Sequence, residues 1–364
     1  MKLTSLQLEN FRNYSRHSLE FDPQKNITVL VGPNGKGKTN LLEAIYVLSL
    51  GRSFRTLHKD DLLTWDMDYM RCKGAVKSDN ESKDLEVFYS NYPRQQRSFK
   101  RNEVSMKNSE YLGNLLTVLF HPEDLNMLYL SPSLRRRYLN ILLSQTDKYY
   151  LQALTNYNKI LKQRNSLLFQ IRDKRFSRLS TTNLEADLDA WDTEIIEHGS
   201  YIIEKRTELT EFLATKLSPI YNSISGTKEK ITLKYKSNTK GDYEKRLKSK
   251  RETDIKTAKT LIGPHRDDIV FYINSQPIQT SASRGEFRTL LLAIKLAEIQ
   301  YIKQKTKKNP VLLLDDVFSE LDKKRQNQLL KSIKSCQTII TTTDIGNLGE
   351  LAKESPTTMF VKVE

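Results

Sequence analysis

The spacing of apolar residues changes twice along the chain and divides it into three parts. In the first part short apolar runs predict strands, and the run Ile27–Val31 precedes a helical segment, Leu41–Leu48. From Leu134 to Leu217 apolar residues recur every three or four positions, which predicts two long helices, the second ending at Ser218–Pro219. Strand-like runs then return, among them Val311–Leu314, so an α/β pattern resumes after a helical interruption.

The helical stretch is therefore interpreted as an insertion into an α/β domain. We expect residues 1–120 and 255–364 to form the two parts of that domain, which we call the head. Residues 121–254 then form a helical arm, whose helices meet at the polar tip Arg172–Asn183. The pattern also predicts strands over 2–9, 85–89, 116–120, 231–236, 337–341 and 359–363, a strand ending at 19–21, a hairpin over 268–278 that turns at 274–275, and helices over 285–304 and 322–334.

The charge of the chain indicates a polyanion as its partner. Its 364 residues include 59 Lys and Arg against 44 Asp and Glu, a formal net charge of +15. A basic excess of this size favours nucleic acid through counterion release. A membrane surface is the competing polyanion, and it is disfavoured because no amphipathic lipid-binding segment or membrane span stands out.

Cysteine usage and the N-terminus bear on the compartment. Cys72 and Cys336 are the two cysteines, and they lie far apart without the spacing of metal ligands. This predicts a reducing compartment without a disulfide framework. The first residues lack the apolar run of a signal peptide, so we expect a cytoplasmic protein.

Two segments concentrate basic residues. Arg94–Lys107 has five basic residues and one acidic residue, with a hairpin tip predicted at Asn102–Glu103. At this place a β-edge protected by Lys and Arg is a better interpretation than a DNA contact. Lys240–Lys259 has eight basic and four acidic residues on a helical pattern. It fits a solvated helix face, and a DNA-facing surface is the alternative.

The clearest chemical signal is a glycine-rich turn between a strand and a helix, with the spacing G-x-x-x-x-G-K-[ST]. Glycines let backbone N–H groups turn toward phosphate oxygens, and the helix N-terminus adds its positive end. We predict that Lys38 reaches the β- and γ-phosphates and that the Thr39 hydroxyl ligates Mg²⁺. The residues expected to hold a nucleotide are Gly32, Pro33, Asn34, Gly35, Lys36, Gly37, Lys38, Thr39 and Asn40.

A second group of polar residues follows the apolar strands near the C-terminus. Asp315 and Asp316 end the strand that begins at Val311, and ligands lie at the carboxyl ends of such strands. We assign Asp315 to the Mg²⁺ beside Thr39 and Asp316 to the activation of water. Thr343, after the next strand, stands where a residue could sense the γ-phosphate.

A further anion-binding site is predicted at the start of the helix over 285–304. Ser283 and Gly285 place a serine and a glycine at its N-terminus, where backbone N–H groups are unpaired. Such an anion-binding site need not face the glycine-rich turn of its own chain.

Together these motifs resemble the SMC and ABC class of ATPases, and more closely the RecF family. The markers of that resemblance run almost from end to end and are jointly specific. They are Asn10–Tyr14, Gly32–Thr39, Gly51–Arg55, Pro122–Leu125, Arg136–Arg137, Gly263–Asp268, Ser283–Glu286, Leu312–Val317 and Ser319–Asp322.

The resemblance implies a fold, a reaction and partners. The fold is an ABC/SMC-type P-loop ATPase head with an inserted α-helical arm, and the cofactors are ATP and Mg²⁺. It implies an ATP-dependent homodimer in which Ser283 of one subunit meets the γ-phosphate held by the other. It also implies binding to single-stranded, gapped or duplex DNA, and partnership with RecR- and RecO-type mediators. Arg12 and Asn13 match positions expected to touch the nucleotide.

Two positions depart from the pattern of the class. Glu286 stands where glutamine is usual, and its carboxylate would repel a nearby phosphate, which predicts a weaker or re-aimed contact in the dimer. Asp316 stands where many transport ATPases have glutamate, and its shorter reach predicts slow, weak ATP hydrolysis that DNA stimulates. Glu123, near His121, is the candidate for the role of the lid glutamine.

Two other function classes fit parts of the sequence. One is the nucleotide-binding subunit of a transporter, against which the long helical arm and the basic charge argue. The other is an interaction protein that binds ATP without useful hydrolysis. We expect instead a DNA-binding ATPase clamp of recombinational repair and replication.

Overall fold

The computed structural model describes residues 1–78, 81–177, 182–239, 241–346, 348 and 357–364. It has two compact units. The head unit comprises Met1–Leu125, Lys216–Glu229 and Ala282–Glu364, and the helical unit comprises Asn126–Thr215 and Lys230–Ser281. Over the described residues, none of the helices combines the length and the apolar character needed to cross a lipid bilayer.

The elements follow the predicted alternation of strands, helices and strands. The strands are β1 Lys2–Leu3, β2 Ser5–Phe11, β3 Tyr14–Glu20, β4 Ile27–Val31, β5 Tyr69–Ser78, β6 Glu81–Ser90, β7 Gln96–Arg101, β8 Val104–Met106, β9 Thr117–Phe120, β10 Ile231–Lys236, β11 Asp268–Ile273, β12 Gln276–Pro277, β13 Val311–Asp315, β14 Thr338–Thr342 and β15 Thr358–Lys362. The α-helices are α1 Lys38–Leu50, α2 Asn108–Tyr111, α3 Asn126–Tyr129, α4 Pro132–Thr146, α5 Lys148–Phe176, α6 Thr182–Ser225, α7 Tyr243–Thr257, α8 Ile278–Ser281, α9 Arg284–Thr306 and α10 Lys323–Ile333.

Two sheets build the described part of the head unit. One is parallel, in the order β15-β4-β14-β13-β9, and its strands are short apolar runs, as buried parallel strands usually are. The other is antiparallel, in the order β3-β2-β5-β6-β7-β8, with β1 beside β5. Helix α1 contacts strands of both sheets and is buried on almost every side, so it lies between them.

The register of the parallel sheet brings distant parts of the chain together. Val31 pairs with Thr342, Asp315 pairs with Thr341, and Leu314 pairs with Phe120. The carboxyl ends of β4, β14, β13 and β9 therefore meet at one edge of the sheet, where ligands bind in open α/β folds.

The helical unit is held by an apolar cluster and a small sheet. Helices α5, α6 and α7 share a buried cluster that includes Leu168, Ile171, Leu188 and Ile255. Strands β10, β11 and β12 form the sheet, and β11 turns into β12 at Asn274–Ser275, as predicted.

A buried ion cluster ties the same three helices together. Arg164 of α5 is 0% exposed. Its Nε donates to Asp192 Oδ1 of α6 at 2.6 Å, and its Nη1 donates to Asp254 Oδ2 of α7 at 2.8 Å. Nη1 also donates to the Thr260 hydroxyl at 2.8 Å. Buried charges are tolerated only when they are paired in this way.

The predicted end of the second long helix is wrong. Helix α6 passes through Pro219 and ends at Ser225. Proline removes one backbone donor and costs roughly 3 kcal/mol in a helix. Tyr221 and Ile224 are buried beyond it, and burial of two such side chains, at about 1.5–3 kcal/mol each, offsets that cost.

The first helical stretch is also divided. It forms α4 and α5, separated at Asp147, whose side chain accepts a hydrogen bond from the Tyr150 N–H at 3.0 Å and caps α5. Part of the predicted tip Arg172–Asn183, residues 178–181, lies outside the described residues.

The compact units and the predicted segments divide the chain differently at three places. Residues 121–125, predicted as the start of the arm, belong to the head unit. Residues 255–281 belong to the helical unit, because β11 pairs along its whole length with β10. A boundary at 254/255 would cut that sheet. Residues 216–229 belong to the head unit, where Lys324 Nζ donates to the Ser225 carbonyl oxygen at 2.7 Å.

We predict that Arg164→Met lowers the free energy of unfolding of the helical unit by about 3–5 kcal/mol, because two buried carboxylates lose their partner. The midpoint of urea unfolding measures the change. The control is Arg175→Met, which breaks exposed ion pairs with Glu185 and Glu252 and should cost less than about 1 kcal/mol. Equal effects of the two substitutions would contradict a stabilising role for the buried cluster.

Candidate nucleotide-binding site

The glycine-rich turn forms a cradle between β4 and α1, as predicted. Gly37 precedes α1 in a left-handed conformation, with φ of 101°, and has no side chain to cap the first N–H groups of the helix. Those donors are left for an anion. A Cβ at Gly32 would lie 2.2 Å from the carbonyl oxygen of Val363, so that position requires glycine.

Lys38 is buried at the bottom of this cradle. Its Nζ donates to the carbonyl oxygens of Gly32 at 2.6 Å and Pro33 at 2.8 Å. Burial lowers the pKa of Lys38, and the negative charges of Asp316 and Asp315 oppose that shift. Two neutral carbonyls are weaker partners for an ammonium than a phosphate oxygen would be.

Asp315 connects the cradle to three parallel strands. Its Oδ1 accepts hydrogen bonds from the hydroxyls of Thr39 and Thr341, each at 2.8 Å, and its Oδ2 lies 3.1 Å from Nδ1 of His121. Burial alone would raise the pKa of Asp315, but the hydrogen bonds from these three side chains outweigh it and lower the pKa. The carboxylate therefore stays charged.

Asp316 has a different environment from its neighbour. Its backbone is left-handed, with φ of 49°, and its N–H donates to the Thr341 hydroxyl at 3.0 Å. Burial, together with the negative charge of Asp315, raises the pKa of Asp316. Its Oδ1 is buried and has no hydrogen-bond partner among the described residues. An acceptor left open beside an ionised carboxylate suits a general base.

The residues at this edge fit a magnesium ion. Thr39 and Asp315 present oxygen atoms, the ligands that Mg²⁺ prefers. Within the described chain no group of three or more His, Cys, Asp or Glu side chains forms a metal site by itself. A cation here would complete its coordination with phosphate oxygens and water, as Mg²⁺ commonly does.

A buried carboxylate organises the rim of the cradle. Glu43 of α1 is fully buried, and Arg12 donates to it through Nε at 2.8 Å and Nη2 at 2.7 Å. The hydroxyl of Ser53 also donates to Glu43. Arg55 Nη1 lies 3.4 Å from Glu43 and donates to the Asn40 side chain at 2.8 Å. This network holds Arg12 and Arg55 beside α1, the helix that follows the cradle.

Asn13 contacts the cradle directly. Its Nδ2 donates to the Lys36 carbonyl oxygen at 3.4 Å, and its Oδ1 accepts from Asn40 at 2.8 Å. The hydroxyl of Tyr14 is buried without a hydrogen-bond partner in the described chain. A Cβ at Gly37 would lie 2.6 Å from it. This unpaired polar atom lies against Gly37, the residue that precedes α1.

Ser283 begins α9 with a capping box. Its hydroxyl accepts from the Glu286 N–H at 3.3 Å, and its own N–H donates to Glu286 Oε2 at 2.7 Å. Glu286 thus has a local role that glutamine fills equally well. Within the described residues, no hydrogen bond or ion pair joins Ser283 or Gly285 to the cradle of the same chain.

Thr343 lies at the end of β14, one position beyond Thr342, which pairs with Val31 at the start of the cradle. Its side chain is exposed. Thr342 is buried instead, and its hydroxyl donates to the Asp344 carbonyl oxygen at 2.8 Å.

The structure adds residues that the sequence analysis did not assign. His121 contacts Asp315, whereas Glu123 is mostly exposed and lies 4.0 Å from His121. His121 directly follows a predicted strand, and that position could have identified it. No feature of the sequence identified Glu43 as a site residue, because apolar spacing does not show which carboxylate of a buried helix forms an ion pair.

Comparisons with known proteins agree with this geometry. The family model described as the RecF/RecN/SMC N terminal domain matches residues 2–361. The DNA replication and repair protein RecF of Bacillus cytotoxicus is 39% identical, and the match covers 100% of this chain and 97% of that protein. The RecF protein of Bacillus mycoides is also 39% identical, covering 98% of this chain and 96% of its own length.

Solved structures give the same result. The recombination mediator protein RecF of the RecFOR pathway, solved as RecF-ATPrS, is 33% identical with a TM-score of 0.87, covering 100% of this chain and 97% of that one. The Smc head domain of Pyrococcus furiosus, 16% identical with a TM-score of 0.54, covers 100% of this chain and 94% of its own and shares the fold alone. The head unit thus has the ABC/SMC-type P-loop ATPase fold, and the chain belongs to the RecF family.

Proposed function

We propose that this protein is an ATP-dependent DNA-binding protein of recombinational repair and replication. ATP joins two copies into a clamp, slow hydrolysis that DNA stimulates opens it, and RecR- and RecO-type mediators are recruited to gapped DNA. The observation that carries the proposal is the Asp315 carboxylate, shared by Thr39, Thr341 and His121, beside the open acceptor of Asp316. A bacterial cytoplasm is the compartment in which such a function operates.

The residues of the cradle have separate tasks in this proposal. Lys38 exchanges its two carbonyl partners for phosphate oxygens, and the N–H groups at the start of α1 bind the same anion. Thr39 and Asp315 hold Mg²⁺, which when bound neutralises charge on the phosphates. Asp316 accepts a proton from the attacking water. Thr343 binds the γ-phosphate, and Arg12 and Asn13 contact the rest of the nucleotide.

Dimer formation rests on Ser283. The capping box uses the hydroxyl oxygen of Ser283 as an acceptor, so its proton remains available to donate to the γ-phosphate held by a second copy. Gly285 leaves the first turn of α9 open to that phosphate. Glu286, engaged by the Ser283 N–H, adds a negative charge nearby and weakens the contact.

The net charge supports DNA as the polyanion. The hairpin β7–β8 contributes little, because Arg97 donates to the Gly51 carbonyl oxygen at 3.2 Å and Lys100 pairs with Glu86 at 3.1 Å. In α7, Lys248 pairs with Glu244 and Arg251 with Asp189. The exposed Lys245, Lys250 and Lys256 of that helix are therefore the better candidates, together with the overall charge of +15. Such contacts give affinity without reading base sequence.

We predict that Lys38→Met weakens ATP binding by about 100-fold or more, because the cradle loses its buried cation, and that it removes the effect of ATP on DNA binding. Fluorescence anisotropy with duplex, single-stranded and gapped DNA over a salt series measures both effects. The control is Lys331→Met, an exposed lysine of α10. If the unchanged protein binds DNA with the same affinity in the presence and absence of ATP, the proposed function is contradicted.

Asp316→Asn tests the proposed general base. We expect ATP affinity to change little, the turnover rate to fall by about 10²-fold or more, and the ATP-bound dimer to persist. The raised pKa of Asp316 adds a pH signature. The turnover rate of the unchanged protein should fall as the pH decreases, because the base must be deprotonated. The fall should begin at a higher pH than it would for an aspartate with an ordinary pKa. Full turnover in the variant would remove Asp316 from this role.

Ser283 and Glu286 give opposite predictions for the dimer. Ser283→Ala should abolish ATP-dependent dimerisation, whereas Glu286→Gln should tighten it by about 3–10-fold, because the negative charge is lost and the capping box is kept. Sedimentation velocity in the presence of ATP measures both effects on dimerisation. Each substitution is made in the Asp316→Asn protein, in which the ATP-bound dimer is expected to persist. If Ser283→Ala still dimerises with ATP, the contact between subunits lies elsewhere.

A further inference from the structure

An exposed apolar surface lies on the segment after α1. Trp65 is 90% exposed and Leu57 is 83% exposed. Monomeric proteins seldom leave several large apolar side chains in water within one short segment unless they bind a partner. We call this surface the acidic aromatic patch, and its members are Leu57, Trp65, Met67, Tyr69 and Tyr92, with the carboxylates of Asp60, Asp61, Asp66 and Asp68 around them.

The backbone holds Trp65 in its exposed position. The Thr64 N–H donates to the Asn10 carbonyl oxygen at 2.9 Å, and the Met67 N–H donates to the Thr64 carbonyl oxygen at 3.1 Å. Asp66 adopts φ of 63° between them, so the indole stands at the tip of a tight turn. A large aromatic side chain fixed in this way loses little entropy on binding, and such residues often dominate the binding energy of interfaces.

The patch continues onto the antiparallel sheet. The Asn91 N–H donates to the Asp68 carbonyl oxygen at 2.9 Å, which places the exposed Tyr92 next to the same turn. Tyr69 stacks on Phe88 with ring centroids 5.9 Å apart. The apolar side chains therefore rest on a rigid base rather than on a free loop.

The charge of the patch is opposite to that of the chain. Residues 57–69 contain four aspartates and one lysine, within a chain of net charge +15. These aspartates weaken the attraction of this surface for DNA phosphates, although Arg71 lies over the Tyr69 ring at 6.0 Å. Its complement is a protein surface with Lys and Arg side chains around an aromatic-accepting pocket.

The segment that carries the patch also contacts a turn beside the nucleotide site. The Arg12 N–H donates to the Leu62 carbonyl oxygen at 2.9 Å, and the Thr64 hydroxyl donates to the Tyr14 carbonyl oxygen at 3.4 Å. The turn Asn10–Tyr14 thus contacts the cradle through Asn13, and it contacts the segment that carries the patch through Arg12 and Tyr14.

We infer that the acidic aromatic patch is the docking surface for a basic protein partner, with Trp65 inserted in a pocket of that partner. The inference rests on the proposed function for the choice of partner, a RecR-type mediator. It adds the binding site for that mediator on the head unit.

The chain offers a direct probe of this site. It has two tryptophans, and Trp191 is partly buried against the apolar cluster of the helical unit. In Trp191→Phe, emission reports Trp65 alone. We expect a blue shift and several-fold weaker iodide quenching when purified RecR-type mediator of the same organism is added.

Substitutions complete the test. Trp65→Ala should weaken mediator binding by about tenfold or more, and Asp68→Lys should slow association, most strongly at low salt. Trp65→Ala should leave ATP and DNA affinities unchanged. The matched control is Phe176→Ala, which removes an aromatic side chain that is also 90% exposed and should bind the mediator as before.

Several outcomes overturn the inference. A mediator complex in which Trp65 stays open to iodide, or which Trp65→Ala leaves intact, rejects this docking surface while the proposed function survives. Shielding of Trp65 by DNA alone makes the patch a nucleic-acid surface, and shielding with rising protein concentration alone makes it a contact between copies of this chain. If the unchanged protein does not bind the RecR-type mediator, the proposed partnership fails together with the site.

Discussion

The site depends on one buried carboxylate. Asp315 is 5% exposed, and a charge that far from water is tolerated only with hydrogen-bond donors around it. Those donors come from the start of α1, the end of β9 and the end of β14. The cradle, the metal position and the open acceptor of Asp316 are therefore arranged by a single electrostatic requirement. A change in any of the three donors alters the charge that a cation would meet.

The strand order explains how these groups come together. In the parallel sheet β13 lies between β14 and β9, and β14 also pairs with β4. Side chains that end these four strands must meet at one edge, although the chain passes through the whole helical unit between β9 and β13. The helical insertion thus leaves the site intact, because it enters and leaves between strands rather than within one.

Charge is distributed unevenly over this protein, and the distribution separates its proposed partners. The excess of Lys and Arg favours a polyanion, whereas the acidic aromatic patch favours a basic protein. Internal pairing matters as much as composition. The basic hairpin β7–β8 has most of its charge engaged by carbonyl oxygens and by Glu86, so a count of charged residues overstates its attraction for DNA. The turn Asn10–Tyr14 contacts the cradle and also Leu62 and Thr64, which lie in the segment that carries the patch.

The features that local spacing encodes can be predicted from the sequence. Apolar periods of two or 3.6 residues and the positions of glycines predict these features. They are the cradle, the strand that ends in Asp315, the helix that begins after Ser283 and the interruption of the α/β pattern. Which side chains share a partner is visible only in the folded protein. Thr39 and Asp315 are 276 positions apart, and Glu43 accepts from Arg12 across two elements. Helix α6 likewise continues through Pro219 because buried side chains beyond it outweigh a local preference. Such contacts depend on how elements pack, and packing acts between residues that no local pattern links.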